Sequence, residues 1–380
     1  MSKKALIVTN LIGFVGFLWN DISILKNLGY QISFAANGNV ISGEDHVSKM
    51  KNEGISFYQV DFSSKNPLDR ENIRAYKQIK KIIDENDYEL VHCHTPIAGF
   101  LTRLATRKKR KKGMKVIYTT HGFSFTHYSS KKDWLKYYFF EKYASRFTDI
   151  IITINNEDFI VAQKMHCKNV KKINGVGVDT IKYHDVSIDV DTYKNSLGIP
   201  TDKIMVLSVG ELSERKNHQI IIKALSVLPN KNKYVYVICG REVGNSGIKN
   251  LLLSMAEKMK VNLMLLGHRD DIPQIMHCSD IGAIPSIREG LGLAGIQSLC
   301  AEVPLVGSSV QGIKDYIIND VDGYLCSPFD YEAFAKSIDK LSDKSVVIEM
   351  KQNCYRIARD FDISVSSKQM REIYCNILKG

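Results

Sequence analysis

Pro285-Ser286-Ile287-Arg288-Glu289-Gly290-Leu291-Gly292-Leu293-Ala294-Gly295-Ile296-Gln297 is the stretch whose reading decides the fold. An apolar run ends at Ala283-Ile284-Pro285, a carboxylate follows inside a glycine-rich turn, and an apolar, helix-compatible segment then carries Gln297. That order reads strand, tight loop, helix. In an open α/β sheet such a junction lies at the carboxyl end of a strand, where the free N–H groups of a helix start can meet an anion.

Outward from this loop the second half repeats the same grammar. Strands are expected at 203–210, 234–240, 261–267, 280–285 and 303–307, and three of them run directly into Gly210, Gly240 and Gly267. A glycine there lets a ligand or a helix approach the backbone closely. The first half alternates in the same way, with apolar runs at 4–9, 31–36, 55–60, 90–94, 115–120 and 149–154, and with helical signals from about Phe17 to Leu28 and from Arg70 to Glu85. Short apolar strands alternating with helices predict parallel, doubly wound sheets. A chain of 380 residues is long for one core, so two α/β domains are expected, 1–183 and 184–363. Asn174–Asp179 and the polar stretch to Pro200 form the linker in this reading, and the chain reads as helical after Gly323 to its end.

Composition narrows the function class. The apolar content of 44% and the charge of 24% are those of a globular protein, and no apolar run is long enough to span a bilayer. The N-terminus reads as a first buried strand and not as a signal peptide, which predicts a cytoplasmic protein. Eight cysteines without a CxxC pair predict reduced thiols. The net charge of +11 resides in the first half: residues 1–180 hold 28 Lys and Arg against 17 Asp and Glu, and residues 181–380 hold 24 of each. A basic half favours an anionic partner, whether a membrane surface, a diphosphate or nucleic acid. Arg107-Lys108-Lys109-Arg110-Lys111-Lys112 is either part of that face or a solvated loop.

Several segments carry chemistry. Gly210-Glu211-Leu212-Ser213-Glu214-Arg215-Lys216-Asn217 follows a strand and opens a helix, so the Arg215 and Lys216 charges add to a helix dipole in a manner suited to a diphosphate. A surface Arg-Lys pair beside Glu214 is the plainer alternative. Glu289 likewise reads either as a ligand contact or as a helix-start carboxylate, and Gln297 as a ligand contact or a surface residue. Asn10-Leu11-Ile12-Gly13-Phe14-Val15-Gly16 is a loose glycine loop that fails as a dinucleotide fingerprint, because a third Gly and a well-placed acid are missing. His121 follows a strand end, and His92 and His94 share one side of another strand. Their spacing also admits a metal reading, although no further Cys/His cluster adjoins it. Between Tyr128 and Phe147, aromatic residues mix with Lys131, Lys132, Lys136 and Lys142, which suits either packing on the sheet or an interfacial membrane contact. No P-loop and no Gly-x-Ser-x-Gly elbow is present, which argues against ATP chemistry and serine hydrolysis.

Taken together, these segments resemble the retaining family 4 glycosyltransferases of GT-B fold over roughly residues 4 to 360. The resemblance rests on several motifs in order: the glycine loop with Gly13 and Gly16, His121-Gly122, Gly210 with Lys216, Leu266-Gly267-His268-Arg269, the Glu289 loop, and Gly312 to Leu325. It implies two Rossmann-like domains facing across a cleft, with a final helix, about 364–380, packing back on the first. It further implies that Lys216 binds the donor diphosphate, that Glu289 lies by the donor sugar, and that Gln297 replaces a second Glu that would bond the ribose. Gly290 and the amides of Leu291, Gly292 and Leu293 add to the donor site, and the backbone around Gly267 and Arg269 lies along the base. His121 reaches the donor sugar or phosphate, while His92 and His94 shape the acceptor cleft. Glu211 stands where the family usually has Arg, and Arg215 is the residue that can substitute.

The expected activity is transfer of a hexose or N-acetylhexosamine from a nucleotide sugar, UDP-linked by family frequency, to a lipid-linked saccharide in capsule or exopolysaccharide synthesis. Neither metal nor separate cofactor is expected, nor is nucleic acid a partner. A peripheral contact with an anionic inner membrane surface fits the basic half. The departures at Glu211 and Gln297 leave a catalytically silent partner subunit as an alternative, and the shared fold leaves a sugar-nucleotide 2-epimerase.

Overall fold

The computed structural model describes residues 3–39, 45–63 and 69–379. The chain divides into two compact units, Met1–Val176 with Ser364–Gly380, and Gly177–Ile363.

The first unit is built on β1 (Lys3–Leu11), β2 (Tyr30–Asn37), β3 (Ser56–Gln59), β4 (Leu90–His94), β5 (Lys115–Thr119), β6 (Ile150–Thr153) and β7 (Val170–Lys172). They form one sheet in the order β3-β2-β1-β4-β5-β6-β7, with parallel pairings throughout. Leu6, Ile7 and Val8 are all fully buried although they face alternate sides, because helices cover both faces of a parallel sheet. The helix Arg70–Glu85 buries Asn72, Ala75, Ile79 and Ile83, one stripe at helical spacing, and leaves its charges in water.

The second unit carries β8 (Ile204–Val209), β9 (Tyr234–Cys239), β10 (Leu263–Gly267), β11 (Ile281–Ile284), β12 (Leu305–Ser308) and β13 (Gly323–Cys326). Their order is β10-β9-β8-β11-β12-β13, again with parallel pairings. The chain order reverses between β8 and β11, and at such a switch point the loops after the two strands diverge and leave a crevice.

Three differences from the sequence reading have physical causes. Gly323–Cys326 is a strand and not helix. A Cβ on Gly323 would lie 2.2 Å from the Leu305 carbonyl oxygen, so this edge strand pairs with β12 through a position only glycine fills. β7, Val170-Lys171-Lys172, is a short, half-polar edge strand that gives no apolar run to read. The unit boundary falls between Val176 and Gly177, ahead of residue 183. The segment read as linker holds helices Thr180–His184 and Val190–Ser196, each started by an aspartate, Asp179 or Asp189, whose side chain accepts from a backbone N–H of the first turn. Ser364–Gly380, the greater part of the last helix, groups with the first unit. The second unit's two ends are paired: Val178 N–H donates to Phe361 O and Ile363 N–H to Val178 O, each at 2.9 Å.

Candidate active site

In the second unit, the loops after β8 and β11 bring together residues far apart in sequence. Lys216 Nζ lies 2.7 Å from Glu289 Oε2, and Arg215 donates to the same oxygen at 3.0 Å. The other arm of Arg215 reaches Glu211 Oε1 at 2.9 Å, Ser286 Oγ donates to Glu289 Oε2 at 3.2 Å, and Ser213 Oγ to Glu211 Oε1 at 3.0 Å. Two cations and two carboxylates thus form one network at the switch point. Burial alone would raise the Glu289 pKa, but the Lys216 and Arg215 charges outweigh it and hold the carboxyl below its ordinary value. Glu289 is therefore ionised at neutral pH.

The turn that presents Lys216 is fixed by a residue the sequence reading passed over. Asn217 adopts a left-handed conformation, φ 54° and ψ 33°. Its amide donates to Pro285 O at 3.1 Å and to Pro328 O at 2.8 Å. Asparagine tolerates this conformation better than other side chains with a Cβ, and here its amide also ties the cationic turn to the Glu289 loop. The one available signal was an Asn directly after Lys216 at the start of the helix. Ile287 N–H adds a bond to Arg215 O at 2.9 Å.

The glycines of the Glu289 loop are set by close approach. Gly292 has φ 80° and caps the helix Leu293–Cys300 without a side-chain bond; Gly295 N–H donates to Gly292 O at 2.9 Å, and the amides of Leu293 and Ala294 remain as donors among the described residues. Tyr316, buried, donates to Gly292 O at 3.1 Å, and a Cβ on Gly295 would come within 2.2 Å of its hydroxyl. A Cβ on Gly312 would strike Gly290 O at 2.2 Å. Gln297 lies in the Leu293–Cys300 helix, half-buried, and its amide has no hydrogen-bond partner among the described residues.

Beside the network, at the carboxyl ends of β8, β9 and β10, a pocket of about 350 Å³ is lined by Gly210, Glu211, Gly240, Arg241, His268 and Arg269, among others. Gly240 is required there, since a Cβ would lie 1.8 Å from Gly210 O. Gly267 closes β10 with φ 68°. The Arg269 guanidinium is committed to Asp271, with its Nε at 2.8 Å, and Tyr193 donates to the same carboxylate. The bonds from Arg269 hold the Asp271 carboxyl down at about 2. Arg269 therefore offers the pocket its backbone more readily than its side-chain charge.

In the first unit, Gly13 and Gly16 sit in a 3₁₀ turn, Ile12–Phe17, directly after β1. Neither has a positive φ, and a Cβ on Gly16 would meet nothing within 4 Å. The turn carries Phe14, whose ring packs edge-on against His121 at 4.7 Å. His121 Nε2 bonds His94 Nδ1 at 3.1 Å. His92 lies beneath, 4.0 Å from the His94 ring, with its nitrogens bonded to Tyr374 Oη and Thr119 Oγ1, each at 2.7 Å. Those partners occupy both nitrogens of His92, and among the described residues no group of three His, Cys, Asp or Glu is placed to hold a metal ion.

Next to Phe14 a cavity of about 350 Å³ is walled by Phe100, Phe125, Tyr137 and Phe140, with Asn10 and Glu141 as polar members. Behind it, Arg103, wholly buried, bonds Glu141 Oε2 at 2.7 Å and stacks on Tyr118 at 3.8 Å. The sequence reading missed this pair; the signal was an arginine inside the apolar run Ile97–Ala105.

Over most of its length the chain is similar to known glycosyltransferases. Residues 189–361 match the family described as "Glycosyl transferases group 1", and residues 16–155 match "Glycosyl transferase 4-like". The chain is 31% identical to a putative glycosyltransferase, EpsD, of Bacillus subtilis, over 98% of this chain and 97% of that one. It is 29% identical to the Escherichia coli UDP-Gal:alpha-D-GlcNAc-diphosphoundecaprenol alpha-1,3-galactosyltransferase, over 81% and 82% of the two chains. The crystal structure of Anabaena Alr3699/HepE in complex with UDP and glucose superposes with a TM-score of 0.78 at 19% identity, covering 98% of this chain and all of that one.

Proposed function

The chain belongs to the family 4 glycosyltransferases of GT-B fold, and from that premise we propose that it works in polysaccharide biosynthesis and moves a hexose or N-acetylhexosamine from a UDP-sugar to a lipid-linked saccharide, with retention and without a metal. The observation that carries the reading is the Glu211–Arg215–Glu289–Lys216 network at the switch point of the second sheet. The UDP assignment leans on the E. coli relative, whose donor is UDP-Gal, and the lipid-linked acceptor on the same protein.

In this reading the base enters the pocket along Gly240 and Arg269, and the diphosphate lies against Lys216, Arg215 and the amides of Leu291, Gly292 and Leu293. Charge develops on the diphosphate as the anomeric C–O bond breaks. Fixed cations and helix-start amides stabilise it without reorganising. The acceptor hydroxyl attacks the same face that the diphosphate leaves. Its oxygen bonds the anomeric carbon, and its proton passes to the departing phosphate oxygen, so configuration is kept. Glu289 accepts from sugar hydroxyls, and His121 holds the sugar or phosphate. Gln297 accepts through its amide oxygen where a carboxylate would bind more strongly.

The acceptor's lipid requires a nearby membrane. The helix Lys131–Ala144 leaves Leu135, Phe139 and Tyr143 exposed at a four-residue spacing, with Lys131, Lys132 and Lys136 also exposed. An apolar stripe among lysines fits an anionic lipid surface. Among the described residues no helix is long and apolar enough to cross a membrane.

Calorimetry with UDP, GDP and ADP tests the donor site. Selective binding of UDP, weakened about tenfold or more in Lys216→Ala, is expected from loss of one charge-assisted bond. Failure of the wild type to bind any of the three nucleotides would overturn the reading in favour of a silent partner subunit.

A further inference from the structure

We propose that His94 is a positioning residue that holds His121 as its Nδ1–H tautomer, so that His121 presents a hydrogen-bond donor, and not a base, to whatever binds beside it. The role of that donor in glycosyl transfer rests on the function proposed above; the tautomer does not.

The geometry leaves few choices. His94 Nδ1 and His121 Nε2 are 3.1 Å apart, so one carries the hydrogen and the other accepts it. Burial pushes His121 down to about 4 and His92 to about 3, and His94 well below the ordinary imidazole value. All three rings are neutral at pH 7, with one N–H each. The far nitrogen of His94, Nε2, is buried and has no hydrogen-bond partner among the described residues. The His92 ring lies tilted against that of His94 and cannot serve it, since both His92 nitrogens are taken.

Two arrangements remain. If His121 donated, His94 would carry its hydrogen on Nε2, and a buried N–H would be orphaned. If His94 donates from Nδ1, its Nε2 keeps only an unmet lone pair. Orphaned buried donors are rarer than under-satisfied acceptors. The second arrangement wins, and His121 must then be protonated at Nδ1. That nitrogen has no partner among the described residues, and the ring is partly exposed.

The backbone beside His94 points the same way. Thr95 sits at φ 63° and ψ 150°, a region that essentially only glycine adopts. It is pinned there by its own hydroxyl, which donates to His94 O at 2.6 Å and accepts from Asn10 N at 3.2 Å. Strain of this kind persists only where its surroundings enforce it, and here it fixes the strand end that carries the His94 ring. Phe14 closes the other side of His121.

The test is nitrogen-15 NMR of the histidine-labelled full chain at pH 7.5, with His121→Asn to assign the signal. A pyrrole-type Nδ1 and a pyridine-type Nε2 on His121 are expected. The reverse pattern in the wild type overturns the proposal. His94→Asn keeps a side-chain N–H near the same place, so it should keep the tautomer. His94→Ala should release His121 to a mixture. A folded His94→Ala chain whose His121 stays entirely Nδ1–H would also overturn it. In turnover, His94→Ala should lower kcat severalfold, in proportion to the share of His121 that leaves the Nδ1–H form, with the donor KM little changed and with recovery in His94→Asn. A wild type without transferase activity would refute the proposed function while the NMR still decides the tautomer.

Discussion

Glu289→Gln should tighten the binding of UDP and slow transfer, and the two opposite effects follow from one charge count. Arg215 and Lys216 carry two positive charges, Glu211 and Glu289 two negative, and the four are linked at 2.7 to 3.0 Å. The network is formally neutral where the proposed diphosphate would lie. A phosphate oxygen bonded to Lys216 would lie about 5 Å from the Glu289 carboxylate, given ordinary hydrogen-bond lengths. At that distance two negative charges repel by about 0.8 kcal/mol in water and about 3 kcal/mol at the effective dielectric of a protein surface. The Arg215 side chain is about a third exposed and Glu289 mostly buried, so an intermediate value of about 1.5 kcal/mol applies, roughly tenfold in affinity. Glutamine removes the charge and keeps an oxygen for Lys216, so the loop geometry is preserved. The sugar contact, by contrast, loses a carboxylate acceptor worth about 1.5–3 kcal/mol, and kcat with UDP-sugar should fall about 10- to 100-fold. Calorimetry at low salt, then at 0.5 M salt, reads the first effect, and the gain should shrink with screening. Unchanged or weaker UDP binding in a folded Glu289→Gln protein refutes the charge argument.

Other expectations concern stability and surfaces. Asn217→Gly keeps the left-handed turn but loses two side-chain bonds, so urea unfolding should show a loss of about 1–3 kcal/mol; Asn217→Ala should lose roughly 1 kcal/mol more, because Ala resists positive φ. Burial raises the Asp21 carboxyl to about 7 against an ordinary 3.8. A raised folded pKa contributes stability below pH 3.8 that is lost as pH rises through 7, so Asp21→Asn should exceed wild type at pH 8, and its advantage should shrink by roughly 2–3 kcal/mol by pH 5. A difference independent of pH would remove that explanation. Replacing Leu135, Phe139 and Tyr143 together by Ser should lower partition onto phosphatidylglycerol vesicles by about tenfold or more, with unchanged nucleotide binding; equal sedimentation of variant and wild type would separate this helix face from membranes.

The central strands could be read from sequence because a parallel strand buried on both faces is one continuous apolar run. Leu6, Ile7 and Val8, or Val235, Val237 and Ile238, leave little other choice. Edge strands carry no such mark. β7 is mostly lysine, and β13 is four residues at the start of a stretch that reads as helical. Site residues divide in a similar way. Lys216 and Glu289 sit at strand-to-helix junctions, and a junction is a local pattern. Asn217, Tyr316 and the His94–His121 bond matter because of partners distant in sequence, and local pattern holds no trace of which loop will come near. Arg103 shows the limit well. Its sequence surroundings say core, and only the structure supplies Glu141 and Tyr118, which make a buried guanidinium tolerable.

The same distinction bears on the two departures that kept a silent subunit in view. Read one position at a time, Glu211 in place of arginine removes a cation from the proposed donor site. In the folded chain Glu211 binds Arg215, and the other arm of Arg215 reaches Glu289. The guanidinium is not lost; it comes from four residues further along and is held in place by the carboxylate that took its position. Glu211 and Arg215 are thus one exchange. What the exchange alters is net charge, since it adds a negative group without adding a positive one beyond the arginine it restores. A site so arranged binds a free diphosphate less tightly than a purely cationic one. A transferase must release its nucleotide diphosphate after each cycle, so weaker binding of that product is compatible with turnover and does not by itself mark the site as dead. On this argument Gln297 is the remaining departure, and it weakens one hydrogen bond without removing its acceptor.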